Sequence, residues 1–274
     1  MEFGALRNAA YETAGVLSQS AKRVGRHAAL LWVPLLLDAL AVCAGWAMIG
    51  FQGEPGNSIR LILEMGLPSI GHLLNMPLPA GALPFAAEEG SATGWAVFAC
   101  FFALTSFAQG GYLTLLHRAA ADDSDAERPS AAEAFLRGGW QGLPRFALLA
   151  AAVLLAKPAL SLLLATMFGA AGLLLALLIM LALRFVWIYL ELVIAVEGLD
   201  MLSALVPARR TLLAAAGPPL MTAVLMYSFA AVLSAVLHAY WHPFTLAAAA
   251  VIYVCGMSIF QTAFMLLYLR CRKA

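Results

Sequence analysis

The sequence predicts an all-α fold, a polytopic bundle of transmembrane helices. Three observations carry that reading. Hydrophobic residues fill 63% of the 274 positions and charged residues only 11%, whereas a soluble domain carries roughly a quarter charged residues. The apolar positions gather into runs of about twenty or more, long enough for the ~30 Å hydrocarbon layer. Nothing in those runs alternates as a barrel strand would, and backbone in lipid must satisfy its amides internally, as a helix does. Mean hydropathy of +0.88 agrees. The net charge of +1 is uninformative.

The chain opens on an amphipathic lead, residues 1–27, carrying Arg7, Lys22, Arg23 and Arg26. A first span follows at about 28–51, apolar except for Asp38, with Pro34 in its inner half. Residues 58–76 are also apolar, but Arg60, Glu64, Gly66 and Pro68 interrupt them. They read as a surface-lying or re-entrant piece rather than a span. The second span, about 94–116, is followed by a turn holding Asp122, Asp123 and Asp125. That turn lacks the glycine and closing glutamate of a calcium loop and reads as solvated. A second lead, 130–143, enters the third span at 146–167, which contains Lys157 and Pro158. The fourth, 171–196, contains Arg184 and Glu191.

A third lead covers 199–211. Leu199, Leu202, Leu205 and Val206 form its apolar stripe, while Arg209 and Arg210 face headgroups, as in an interfacial helix. Spans five and six follow at about 212–237 and 243–269, and the whole forms one domain over 1–274. Each lead precedes a pair of spans, and the odd spans carry Pro34, Pro158 and the Pro218-Pro219 pair. Proline there kinks a helix, so the plan suggests a threefold helix-hairpin repeat.

Basic residues set the orientation. Six spans place thirteen of the sixteen Lys and Arg on one side, Arg60 on the other, and Lys157 and Arg184 within spans. The positive-inside rule then puts both termini in the cytoplasm and the protein in the cell membrane. Trp46, Trp95 and Trp241 fall near outer boundaries and Trp32 and Trp140 near inner ones, as an aromatic belt requires. No cleavable signal peptide is predicted, since the first apolar run begins near Ala28 with no small-residue cleavage pattern after it.

The phrase Val196-Glu197-Gly198-Leu199-Asp200-Met201-Leu202-Ser203-Ala204-Leu205 leads through Arg209-Arg210 into a span, and Ala132-Glu133-Ala134-Phe135-Leu136-Arg137-Gly138-Gly139 does likewise. Together they resemble the loop-to-helix joints of a broad group of six-span bacterial membrane proteins. That group includes the membrane domain attached to some glycerophosphodiester phosphodiesterases. The resemblance implies the architecture and a stand-alone membrane module. It carries over no catalytic residues.

Four ionisable groups within the spans are the candidate site: Asp38, Lys157, Arg184 and Glu191. A charge at mid-bilayer costs several kcal/mol unless paired or facing water. Helical rise puts Asp38, Lys157 and Arg184 about 15–18 Å from the inner ends of their spans, near the midplane. Arg184 and Glu191, seven apart, share a face of span four. Charge beside a proline break suits an ion-coupled transporter; a structural ion-pair network that fixes helix register is the competing account.

The remaining signals point to packing. Ser106 with Gly110-Gly111, and Ser258 with Gln261 and Thr262, have the small and polar spacing that lets helices approach closely. His72, His238 and His242 fall on the outer side; the i, i+4 pair has no nearby carboxylate to complete a metal site. Gly256-Met257-Ser258-Ile259 lacks the final glycine of a nucleophile elbow, and Glu88-Glu89 has no basic or histidine partner at suitable spacing. No cofactor, metal or nucleic-acid motif is found. The sequence therefore favours a non-enzymatic accessory or transport-related module, in contact with the lipid bilayer and with a membrane or cytoplasmic protein partner. A secondary transporter using the charged cluster is the alternative, and an intramembrane lipid-modifying enzyme the third.

Overall fold

The computed structural model describes residues 3–49, 66–73, 92–121, 130–214 and 216–273. Among them helices are the regular structure and there is no strand: α1 (Phe3–Arg26), α2 (Ala29–Ile49), a 3-10 turn (Ile70–His72), α3 (Ala92–Ala121), α4 (Ala131–Phe168), α5 (Ala170–Val186), α6 (Leu190–Glu197), α7 (Met201–Ala214), α8 (Gly217–Ala239) and α9 (Pro243–Lys273). Five stretches are long and apolar enough to cross a membrane: Phe98–Ala121, Ala131–Phe168, Ala170–Glu197, Gly217–Ala239 and Phe244–Arg272. α2 contributes a shorter apolar stretch, Ala29–Leu40, among the described residues. The protein is an all-α, multi-pass membrane bundle.

α9 forms the centre, packing against α1, α2, α3, α7, α8 and the 3-10 turn. Its residues from Gln261 to Tyr268 are all buried. α3 and α4 form the closest helix pair, because Gly110, Gly138 and Gly142 let their backbones meet. α5 packs chiefly on α4 and keeps Leu173, Leu174, Leu177 and Leu178 exposed. In a bilayer that is ordinary, since lipid tails are as apolar as leucine.

Local chemistry sets the helix ends. Ser130 caps α4, its hydroxyl accepting from the Glu133 amide at 3.1 Å. α4 ends at Gly169, whose φ of 60° suits a residue without Cβ; its amide bonds Ala165 O at 2.8 Å and reverses the chain directly into α5. α6 ends at Gly198, also left-handed at φ 65°.

Several elements differ from the sequence expectation. The second lead is no separate segment: α4 runs unbroken over 38 residues through Pro144 and Pro158. At 1.5 Å per residue that is about 57 Å, so its first turns extend beyond the hydrocarbon layer. The fourth span breaks at Trp187–Tyr189, between α5 and α6. α7 begins at Met201, after Leu199, and continues through Pro207. It buries Ala204, Ala208 and Leu212 against the bundle and leaves Leu202 and Val206 outside.

At one end of the bundle the helices are tied together. α1 lies across α8, α9 and α3 with Thr13, Val16, Ser20 and Val24 facing in. Its Arg23 guanidinium donates to the last carbonyls of α3, Ala119 O at 3.3 Å and Ala120 O, a cation at a helix C-terminus. Arg270 of α9 donates to Gln19 of α1 at 2.9 Å.

Candidate functional site

Asp38 sits two turns into α2, just beyond Pro34, and is 7% exposed. Both its oxygens are engaged by the chain that precedes α3. Ser69 donates its hydroxyl to Oδ1 at 2.5 Å and the Ile70 amide donates to Oδ2 at 2.8 Å. Ser69 in turn accepts from the Gly71 amide at 3.2 Å. Residues 66–73 are therefore a non-helical piece held inside the bundle, with Gly66, Pro68, Ile70, Gly71 and Leu73 buried. Gly66 lies directly against the Gln109 side chain of α3. Irregular backbone at membrane depth is tolerated only where protein covers it or water reaches it, and here a carboxylate supplies the missing acceptor. This part of the 58–76 segment is no span; residues 58–65 lie outside the described residues. Beside Asp38, Leu37, Leu40, Leu67, Phe101 and Leu104 line a small apolar cavity of about 40 Å³.

Arg184 and Glu191 meet at the broken span. In a straight helix residues seven apart are about 10 Å apart along the axis. The turn at Trp187–Tyr189 lets Arg184 Nη1 reach Glu191 Oε1 at 2.5 Å. The side chains are 23% and 7% exposed, so the pair is largely removed from water. Around the break, Tyr189 is fully buried and packs its ring against Phe264 and Tyr268 of α9.

Of the four charged residues singled out in the sequence, the structure brings Arg184 and Glu191 together. It engages Asp38 elsewhere, with Ser69 and Ile70. Lys157 is exposed, on α4. His238 ends up exposed on α8, and His242 lies in the connection after it, where its ring accepts from the Phe244 amide at 3.3 Å. Among the described residues no three of His, Cys, Asp and Glu gather as a metal site would require.

A second polar group lies nearer the end that α1 crosses. Pro34 has no N–H, which leaves the Leu30 carbonyl without its helical donor. Ser258 of α9 donates to that carbonyl at 3.3 Å and its Oγ lies 3.0 Å from the Tyr112 hydroxyl of α3. Three helices thus converge on one orphaned carbonyl. Sequence reasoning marked Ser258 for packing but did not connect it to Pro34. At the same end Glu197 accepts from Tyr268 at 2.6 Å and lies 3.9 Å from Arg272 Nε.

Ser69 was missed as well. Its signal was a serine after Pro68 in an apolar stretch too interrupted to be a span. The break at Trp187–Tyr189 had no such signal, since neither proline nor glycine occurs there. Comparison with known protein families, with characterised proteins and with solved structures finds no match.

Proposed function

We propose that this chain is a non-enzymatic, transport-related module of the cytoplasmic membrane, with both termini inside. Its working part is the piece of chain that Asp38 clasps within the bundle. The observation that carries this is the buried carboxylate holding non-helical backbone through Ser69 and Ile70. Regular helix packing needs no such device, and a segment held by two hydrogen bonds beside a proline is a natural moving part. The joints at Ala132–Gly139 and Val196–Leu205, which resemble those of six-span bacterial membrane proteins, support a membrane module of that kind. Ser258, the serine nearest a nucleophile motif, already bonds Leu30 O and lies beside Tyr112, which counts against hydrolytic chemistry.

A second reading, a secondary transporter in its own right, is favoured by the broken span. Broken helices with charged groups at the break are the site architecture of ion-coupled carriers, and Arg184–Glu191 has that placement. Proteoliposomes holding the purified chain and a pH-sensitive dye separate the two readings. An accessory module alone passes no protons when a gradient is imposed. Proton flux that Asp38→Asn abolishes replaces the module reading with the transporter. Flux unaffected by Asp38→Asn removes Asp38 from both.

A further inference from the structure

α7 presents a face that none of the described residues covers. It docks through Ala204, Ala208 and Leu212. On its other side Leu202, Val206, Arg209 and Leu213 recur at i, i+4, i+7 and i+11, one stripe of a helix. Leu202 is 71% exposed, Val206 58% and Leu213 66%. Arg209 and its neighbour Arg210 are exposed too, and neither guanidinium takes part in a hydrogen bond or ion pair among the described residues.

Connectivity says where this face lies. α7 joins the end of one membrane-spanning helix, Glu197, to the start of another, Gly217. It therefore sits at the boundary of the bilayer, at the end where α1 crosses α8 and α9 and Tyr268 meets Glu197. Aliphatic side chains at that level enter the acyl region. Guanidinium groups between them snorkel to the phosphates, which their planar donor forks match. Zwitterionic lipid offers a phosphate whose charge its own ammonium offsets; two arginines with no acidic partner among the described residues favour net negative charge.

We infer that the Leu202–Val206–Arg209–Leu213 face of α7, with Arg210 beside it, is a docking site for anionic phospholipid headgroups. It selects them from the surrounding membrane. This rests on the chain being a membrane protein and not on its transport role, so it stands or falls apart from the proposed function.

The full chain in nanodiscs of equimolar phosphatidylglycerol and phosphatidylcholine tests it, with the lipid retained around the protein counted by native mass spectrometry. The wild type retains phosphatidylglycerol in preference. Arg209→Gln with Arg210→Gln lowers that preference by up to about 30-fold, given the usual increment for two arginines at an anionic surface. Both side chains are exposed, so this variant folds. Lys22→Gln with Arg26→Gln removes the same charge from α1 and leaves the preference intact. No preference in the wild type, or equal loss in the α1 control, overturns the site.

A bimane label on Val206→Cys, with the four native cysteines replaced by alanine, locates the face. Acyl-brominated lipid quenches it if the site is as described. Quenching by aqueous iodide alone places the stripe in water, and disulfide-linked dimers through position 206 assign it to a second copy of the chain. Either result overturns the lipid assignment.

Discussion

Gly110 of α3 faces α4 at backbone contact: a Cβ there would meet Gly138 O at 2.9 Å and the Gly142 Cα at 3.2 Å. These are main-chain atoms, so a helix must shift to admit one methyl. Gly110→Ala gains helix propensity, yet overpacking costs about 1–3 kcal/mol and wins. Gly15 of α1 has nothing within 4 Å of its Cβ position, and Gly15→Ala should stabilise by about 0.4–1 kcal/mol. Thermal melts in detergent should move in opposite directions for the two. The second prediction concerns the clasp. Asp38→Asn keeps an acceptor for the Ile70 amide only by turning its NH₂ to Ser69, whose hydroxyl must then reverse from donor to acceptor while already accepting from the Gly71 amide, and the charge that strengthened both bonds is lost. It should destabilise by about 1–3 kcal/mol, and Ser69→Ala should add less in that background than alone, because the two share one interaction. Additive losses would show that the Ser69–Asp38 bond contributes nothing. The sequence exposed Asp38 at once, because an acid in an apolar run is conspicuous. It hid Ser69, because a hydroxyl in an apolar stretch is common and its partner is 31 residues away.

Pro34 and Ser258 form the clearest relation between helices. Proline orphans the Leu30 carbonyl, and a serine on α9 answers it at 3.3 Å. Ser258→Ala leaves a buried carbonyl and the Tyr112 hydroxyl short of a partner, at about 1–3 kcal/mol. Pro34→Ala returns an N–H to the helix, so Ser258→Ala should cost measurably less in that background. Equal losses with and without Pro34 would show that the serine does not serve the proline. The broken span gives a parallel test. Removing either Arg184 or Glu191 takes from the other its ion-pair partner in a mostly dry site, which costs roughly 3 kcal/mol. Replacing both with leucine should recover most of it, and a double variant as unstable as the worse single would refute the pairing. The helices themselves were legible as apolar runs of the right length. Their junctions were less so. α4 continues through Pro144 and Pro158, where the sequence suggested a lead and then a span. α5 stops at Val186 with no proline or glycine to stop it. The turn there accommodates Arg184–Glu191 and the packing of Tyr189 on α9, and such tertiary causes leave no local mark. In α7 the sequence found the arginines and the outward Leu202 and Val206, but it put Leu199 and Leu205 on the same stripe, although they pack toward the core, and it missed the docking face, since alanines at Ala204 and Ala208 look neutral until a helix is seen resting on them.

Composition made the class of the molecule legible, because twenty apolar residues in a row have one common explanation. Which helix lies at the centre was not legible, and the reason is the solvent. In water the buried face is the apolar one, whereas in lipid Leu173 on the outside of α5 and Leu266 inside α9 are equally apolar. Hydropathy therefore finds the spans and is blind to their arrangement. Charge does better, because it sorts by side of the membrane. The structure adds a constraint that basic residues alone could not supply. Arg270 near the C-terminus bonds Gln19 near the N-terminus, so α1 and the end of α9 lie at one end of the bundle. Arg23 bonds the end of α3, and Tyr268 bonds the end of α6, which brings those ends to the same level. Tyr240, between α8 and α9, must then lie at the opposite end, because α8 starts beside α7 and α9 returns. The proposed orientation makes the first end, which is rich in basic residues, the cytoplasmic one. In a cysteine-free background, an impermeant maleimide should label Tyr240→Cys in intact cells, since that side chain is 70% exposed. The same reagent should label Ala132→Cys, exposed at the start of α4, only after the cells are opened. Reversed labelling would invert the orientation and keep the fold. Labelling of both positions from outside would break the helix connectivity itself, because no bundle with α3 packed on both α4 and α9 as described puts residues 132 and 240 on one side.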